Sequence, residues 1–281
     1  MVTESQELAA FVSSETGLLC EVDDGTSTDG DPWYLLRPAG VPADHAFAVR
    51  VTRRWRRVVV AFEPGKFAGD LLAAMGDADG TGRAAFRSVL TECVSRGAEI
   101  VFRVNDLLCD PHSEETWLSN WSRVSLVLQY RIDPEVRDGE QPLDDTLVWS
   151  RLFVAAVLAL LPVQPMEAED PSPVVGFVEG GATTVQSTRY ERDRRNRAAA
   201  IAIWGCNCQA CGLDFSHRYG SAAQGFIEVH HTTPVSVLEP GTVVDPARDL
   251  IPLCPNCHAV AHRREPPFTI KEIRSMLRSN A

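Results

Sequence analysis

At 281 residues, with 44% hydrophobic and 23% charged residues, the chain has the composition of an ordinary globular protein and the length for two domains that each bury a core. The longest apolar stretch, Leu152 to Val163, falls short of the about 20 residues a bilayer crossing needs, and the acidic start Met1 to Glu7 lacks the basic and apolar regions of a signal peptide. No membrane span and a cytoplasmic location are therefore expected, and the net charge of −11 argues against a polyanion-binding surface spread over the whole chain.

That charge is unevenly placed: residues 1–162 hold 15 Lys+Arg against 25 Asp+Glu (−10), and residues 163–281 hold 12 against 13 (−1). In the first part, Ala46 to Val51 and Val58 to Phe62 are β-branched and aromatic runs that predict strands, with Arg50, Arg53, Arg54, Arg56 and Arg57 surrounding Trp55 at the strand ends or on the turn. Such a charge run is commonly a solvated face, yet in so acidic a region Arg53, Arg54, Trp55 and Arg56 are candidates for DNA contact. Helical periodicity follows at Phe67 to Met75 and Gly82 to Ser95, strands at Ile100 to Val104 and Val124 to Tyr130, and a closing helix at Thr146 to Leu161. Cys20, Cys93 and Cys109 are scattered here and read as buried free thiols, and His45 and His112 as structural.

Four prolines between Pro162 and Pro173, among acidic and small residues, predict a stiff, solvated linker over 162–178. The chain is then α+β, with a mixed α/β recognition or sensor domain over 1–161 and a second domain over 179–281. In the latter, a helix from Ser187 to Trp204 is expected to carry Arg189, Arg192, Arg194, Arg195 and Arg197 on exposed turns, as DNA contacts, and Ile201, Ile203 and Trp204 toward the core. Phe226 to His230 reads as a short strand and Cys257 to Arg264 as a helix stopped by Pro266 and Pro267. A last helix, Thr269 to Arg278, begins with a capping box of Thr269 and Glu272.

The chemistry is concentrated at the end of the chain. Cys208 with Cys211, and Cys254 with Cys257, form two C-x-x-C pairs about forty residues apart, a spacing that suits one tetrahedral structural zinc. Cys206 is the odd member and reads as filler, and His217 as structural. His230, His231, His258 and His262 exceed what that zinc takes and are what a second, catalytic ion needs. His258 and His262, four apart, share one helix face, whereas His230 and His231 point to opposite faces of a strand unless it ends there, as Thr232-Thr233-Pro234 permits. Glu228 is placed to orient a histidine or reach the metal, or else to sit solvated on its strand.

These motifs, with Arg189 to Arg192, Cys208 to Phe215, Glu228 to Pro234 and Asp249 to His258, resemble the HNH (ββα-metal) endonucleases from about Glu179 onward. The four-cysteine site beside a separate N-terminal domain looks like the McrA-type restriction enzymes. The resemblance implies a nuclease holding one Mg2+, Mn2+ or similar ion, with His231 as general base, His230 and His258 as metal ligands, and His262 as a further ligand or phosphate contact. Asp249 stands where the family has its middle Asn, a change that keeps a loop-bracing role and loses amide donation. Also implied are double-stranded DNA, plain or modified, as substrate, target choice in the N-terminal domain, a role in restriction of phage, and a homodimer. Two alternatives are an effector-gated non-specific nuclease and an inactive DNA-binding zinc module.

Overall fold

In the computed structural model, residues 3–132, 143–162, 194–233, 239 and 242–279 are described. Helix α1 (Glu4–Thr16) leads into strands β1 (Cys20–Thr26), β2 (Pro32–Pro38), β3 (Phe47–Arg54) and β4 (Arg57–Pro64). Helices α2 (Gly69–Gly76) and α3 (Gly80–Ser95), strands β5 (Glu99–Val104) and β6 (Leu107–Leu108), helix α4 (Glu115–Leu118), strand β7 (Val124–Arg131) and helix α5 (Leu143–Ala159) complete the N-terminal part. The strands form one antiparallel sheet in the order β1-β2-β3-β4-β7-β5-β6.

Period-2 alternation builds the core. Val49 and Val51 of β3 pair with Phe62 and Val60 of β4, and Val60 pairs with Leu128 of β7, so one buried row crosses three strands. Helix α5, apolar without interruption from Leu152 to Ala159, lies on that face, among α1, α3, β3 and β4. The expected strands and helices of this part are present. Sequence reasoning passed over α1, whose buried face mixes Leu8 and Val12 with Ser5 and Glu15, and the edge strand β1, whose Cys-Glu-Val-Asp-Asp-Gly-Thr run carries the charge that edge strands tolerate.

The C-terminal part begins, among the described residues, with helix α6 (Arg194–Trp204), then α7 (Phe215–Tyr219), the hairpin β8 (Glu228–His231) and β9 (Leu250–Leu253), α8 (Pro255–Ala261) and α9 (Ile270–Ser279). The expected capping box of α9 is formed: Glu272 N donates to Thr269 Oγ1 at 3.3 Å and Thr269 N to Glu272 Oε2 at 2.7 Å. The expected linker beyond Pro162, together with Arg189 and Arg192, lies outside the described residues.

Helix α6 is buried on nearly every side from Ala198 to Ile203 because two cores meet on it. Ala199, Ala202 and Ile203 belong to the sheet core, packed by α1, α3 and α5, whereas Ile201 belongs to a smaller core with the cysteines, Ile227, Leu253 and Ile273. Ile201 and Ile203 thus face different cores, and Trp204, expected inside, is 40% exposed. Arg195, expected on an exposed turn as a DNA contact, is instead buried. Its guanidinium donates to both carboxylate oxygens of Asp79 at 3.0 and 2.8 Å. The fit requires glycine at 82, where a Cβ would stand 2.7 Å from Arg195 Nη1 and 2.4 Å from the Ala159 carbonyl oxygen.

Candidate metal centre

The four thiols converge where two tight backbone knuckles face each other. Gly212, at φ 75°, lets the first knuckle close with Gly212 N donating to Cys208 O at 2.8 Å and Cys208 N to Leu213 O at 3.0 Å. The second knuckle is the start of α8, with Cys254 as N-cap accepting from Cys257 N at 3.4 Å and Pro255 in the first turn. Gln209 N donates to Pro252 O at 2.9 Å, which locks the knuckles together, and Arg274 of α9 donates to Gln209 O at 2.9 Å. All four Sγ atoms lie within 4.8 Å of one another, and Cys211 to Cys254 is 3.8 Å. A tetrahedron with metal–sulfur bonds of about 2.3 Å has an edge of about 3.8 Å, so the donor set fits zinc.

The thiols also respond to their crowding. Burial pushes the Cys208 thiol up, but hydrogen bonds from the backbone at Cys254, Cys211 and Ala210 bring it down to about 7. Cys257 is pushed up by burial and by its sulfur neighbours Cys254, Cys208 and Cys211. A divalent cation removes that conflict by favouring all four thiolates together. Cys206 stands apart: its thiol is raised by burial and by Glu15, and it is outside the four-sulfur cluster. Of the other three thiols, Cys93 is buried and raised to about 12, while Cys20 and Cys109 are half-buried.

Helix α8 also takes part in a second group: His230, His258 and His262 bring one ring nitrogen each within 4.8 Å of one another. Their rings meet edge to face with centroids 5.2, 5.0 and 4.9 Å apart. Strand alternation turns Glu228 and the buried His230 to the same side of β8, and the Glu228 carboxylate contacts His258 Nδ1. With the carboxylate accepting from Nδ1–H, Nε2 is the ring atom left to face a ligand, the arrangement of carboxylate–histidine–metal sites. Three imidazoles suit Mn2+, Zn2+, Co2+ or Ni2+ better than Mg2+, which prefers oxygen.

His231 is the last residue of β8, in register with Leu250, and is not a member of the three-histidine group. The next residue ties that strand end to the loop before β9: Thr232 N donates to Asp249 O at 2.9 Å. Asp249 in turn accepts from Asp245 N at Oδ2, 2.9 Å, and donates its own N–H to Asp245 O, 2.8 Å. Asp249 therefore braces the loop through its carboxylate. Asp245, which sequence reasoning missed, also accepts from Ser88 Oγ of α3 at 2.7 Å. Only the pairing of acids four apart hinted at it, because Ser88 is 157 residues distant.

The arginines separate. Arg194 and Arg197 are exposed, and Arg197 donates to Ile227 O at 2.9 Å; Arg53 is held by Glu4 at 2.6 Å; Arg54, Trp55 and Arg56 lie exposed at the β3–β4 tip.

A strand hairpin and a helix that bring together three imidazoles, beside a four-thiol cluster, define a metal-binding domain of the ββα type. Residues 208–264 match the HNH endonuclease family, so the chain carries an HNH domain with the cysteine cluster inside it. No curated protein and no solved structure matches the chain. No helix among the described residues is long and apolar enough to cross a membrane.

Proposed function

We propose that the protein is a metal-dependent HNH endonuclease that hydrolyses DNA phosphodiester bonds. The observation that carries this is the convergence of His230, His258 and His262 within the segment that matches the HNH family. When bound there, a divalent ion supplies positive charge against the charge that grows on the reacting phosphate. His231 serves as general base, taking a proton from the attacking water. Glu228 fixes the His258 ring, and Asp249 holds the strand end from which His231 projects. Cys208, Cys211, Cys254 and Cys257 hold a structural Zn2+; of the catalytic ions expected from sequence, Mn2+ fits the three imidazoles better than Mg2+.

Residues 1–161 choose the target, as a compact HNH module reads little sequence, and Arg194 and Arg197 contact phosphates. The four-cysteine site beside a large N-terminal part supports a McrA-like, modification-dependent role in phage restriction, and cutting both strands with one site per chain favours a homodimer. The test is incubation of the purified protein with unmodified, 5-methylcytosine, 5-hydroxymethylcytosine and phosphorothioate duplexes in Mn2+ and in Mg2+. Cleavage in Mn2+ with preference for one modified duplex is expected, whereas binding without cleavage in every metal would leave a DNA-binding zinc module. A gated nuclease is the second reading, favoured by the Ser88–Asp245–Asp249 chain that joins α3 to the catalytic loop.

A further inference from the structure

The antiparallel register places Arg54 of β3 opposite Arg57 of β4, and Arg57 opposite Arg131 of β7. Directly paired residues project to the same face, so three guanidinium side chains stand in one row across three strands. The face is the one turned away from the helices, since the alternate residues Val58, Val60 and Leu128 fill the core. Like charges set directly opposite each other destabilise a sheet, so strand pairing gives no reason for placing three cations in this row.

Nor is it neutralised as its neighbours are. Further down β3, Arg50 forks onto Glu63 and Arg53 onto Glu4, so carboxylates are supplied to the same strand. At the tip, Arg54 alone has one, Asp31 at 3.4 Å, while Arg57 donates to the neutral Gln129 amide at 3.0 Å. Among the described residues no carboxylate is within ion-pair distance of Arg56, Arg57 or Arg131. Between these cations stands Trp55, 90% exposed, beside an open hollow of about 480 Å³ lined by the four arginines and the indole. The turn is firmly held: β3 and β4 pair up to Arg54 and Arg57, and Ile132 N donates to Arg56 O at 3.0 Å.

We propose that this tip is a DNA-reading wedge, in which the Trp55 indole stacks on a base exposed by a distorted or opened pair while Arg57 and Arg131, with Arg54 and Arg56, bind the flanking phosphates. Charge complementarity selects the partner: one aromatic plane among four cations, on a part of the chain with net charge −10, matches a polyanion carrying π-faces. The choice of DNA rests on the nuclease reading.

The experiment is equilibrium binding of the full-length protein, without added Mg2+ or Mn2+, to a plain duplex and to the same duplex with a central unpaired bubble. Trp55→Ala should weaken bubble binding by roughly 5- to 100-fold, and Trp55→Phe, which keeps an aromatic plane, should restore most of it. The double variant Arg57→Gln/Arg131→Gln should weaken both duplexes alike and reduce the slope of log affinity against log salt by about one for each phosphate left unneutralised. Its melting temperature should be unchanged or higher, because the repulsive row is relieved. Unchanged affinity and salt slope in the double variant, equal losses in the Ala and Phe variants, or a fall in melting temperature parallel to the loss of binding would each overturn the proposal. So would loss of self-association with DNA binding intact, which would make the tip a protein-binding surface. Wild-type binding here with no cleavage after Mn2+ or Mg2+ is added would remove the nuclease reading and leave the wedge standing; cleavage in added metal with tip variants binding normally would do the reverse.

Discussion

The sheet region and the cysteine region reach stability by different means. The first surrounds α5 with a continuous apolar core of aliphatic and aromatic side chains, including the Phe86, Phe102, Trp117 and Trp121 rings. The core of the second, among the described residues, gathers eight buried residues, three of them the cysteines Cys208, Cys254 and Cys257. A core that small does not offset the conformational entropy of its own chain, and on the proposed reading the Zn2+ held by the four thiols supplies the difference. The lesson is that the site-bearing region depends on chemistry, while the region attached to it depends on packing, and α6 makes the two share one helix.

The sharpest way to break that comparison is to remove the metal. Stripping it with a strong chelator, or Cys257→Ala, should unfold the cysteine region, because structural zinc contributes about 10 kcal/mol or more in small domains, while the sheet region keeps its near-ultraviolet signal. Metal analysis that finds no tightly held zinc in the purified protein would end this account. Next in size are effects on activity alone. His231→Ala should slow cleavage by about 10²- to 10⁴-fold with zinc content and melting unchanged. His258→Ala should lose cleavage through weaker metal binding, and excess Mn2+ should restore part of it; a metal titration of the rate separates the two.

Packing comes third. Ile201→Ala and Ile203→Ala should each cost about 2–5 kcal/mol, but in different regions: the first should weaken the cysteine core and the second the sheet core, as hydrogen exchange would resolve. The smallest effect concerns Asp79, which caps α3 through Gly82 N at 2.7 Å and holds Arg195. Burial raises its carboxyl, yet the hydrogen bonds from Arg195 and Gly82 outweigh it and hold the group below its usual range. A lowered folded value means that the stabilisation is full above the ordinary carboxylate range and is lost as pH falls through the folded value. Asp79→Asn should therefore flatten the acid side of the stability profile, and Asp79→Ala should also lose about 1 kcal/mol of capping.

The cysteine pairs, the histidine positions and the closing capping box were legible in the sequence because they are short-range patterns: x2 and x3 spacings and strand or helix periodicity fix which side chains share a knuckle or a face. The strands of the sheet were legible where β-branched runs alternate, at β3, β4, β5 and β7, and illegible at β2 and β6, which carry no such run, and at β1, where an edge position admits acids. What no local pattern contains is which distant residues meet. Glu228 reaches His258 across 30 residues, Ser88 reaches Asp245 across 157, and Arg195 leaves solvent for Asp79 across 116. Arg131 joins the tip arginines only because β7 pairs with β4 rather than with its sequence neighbour. Sequence determined the candidate ligands and their donor chemistry, since donor type and spacing are covalent properties. Tertiary structure decided which arginines are buried, which are paired and which face outward with no carboxylate beside them among the described residues, because burial and charge pairing are set by long-range register and packing.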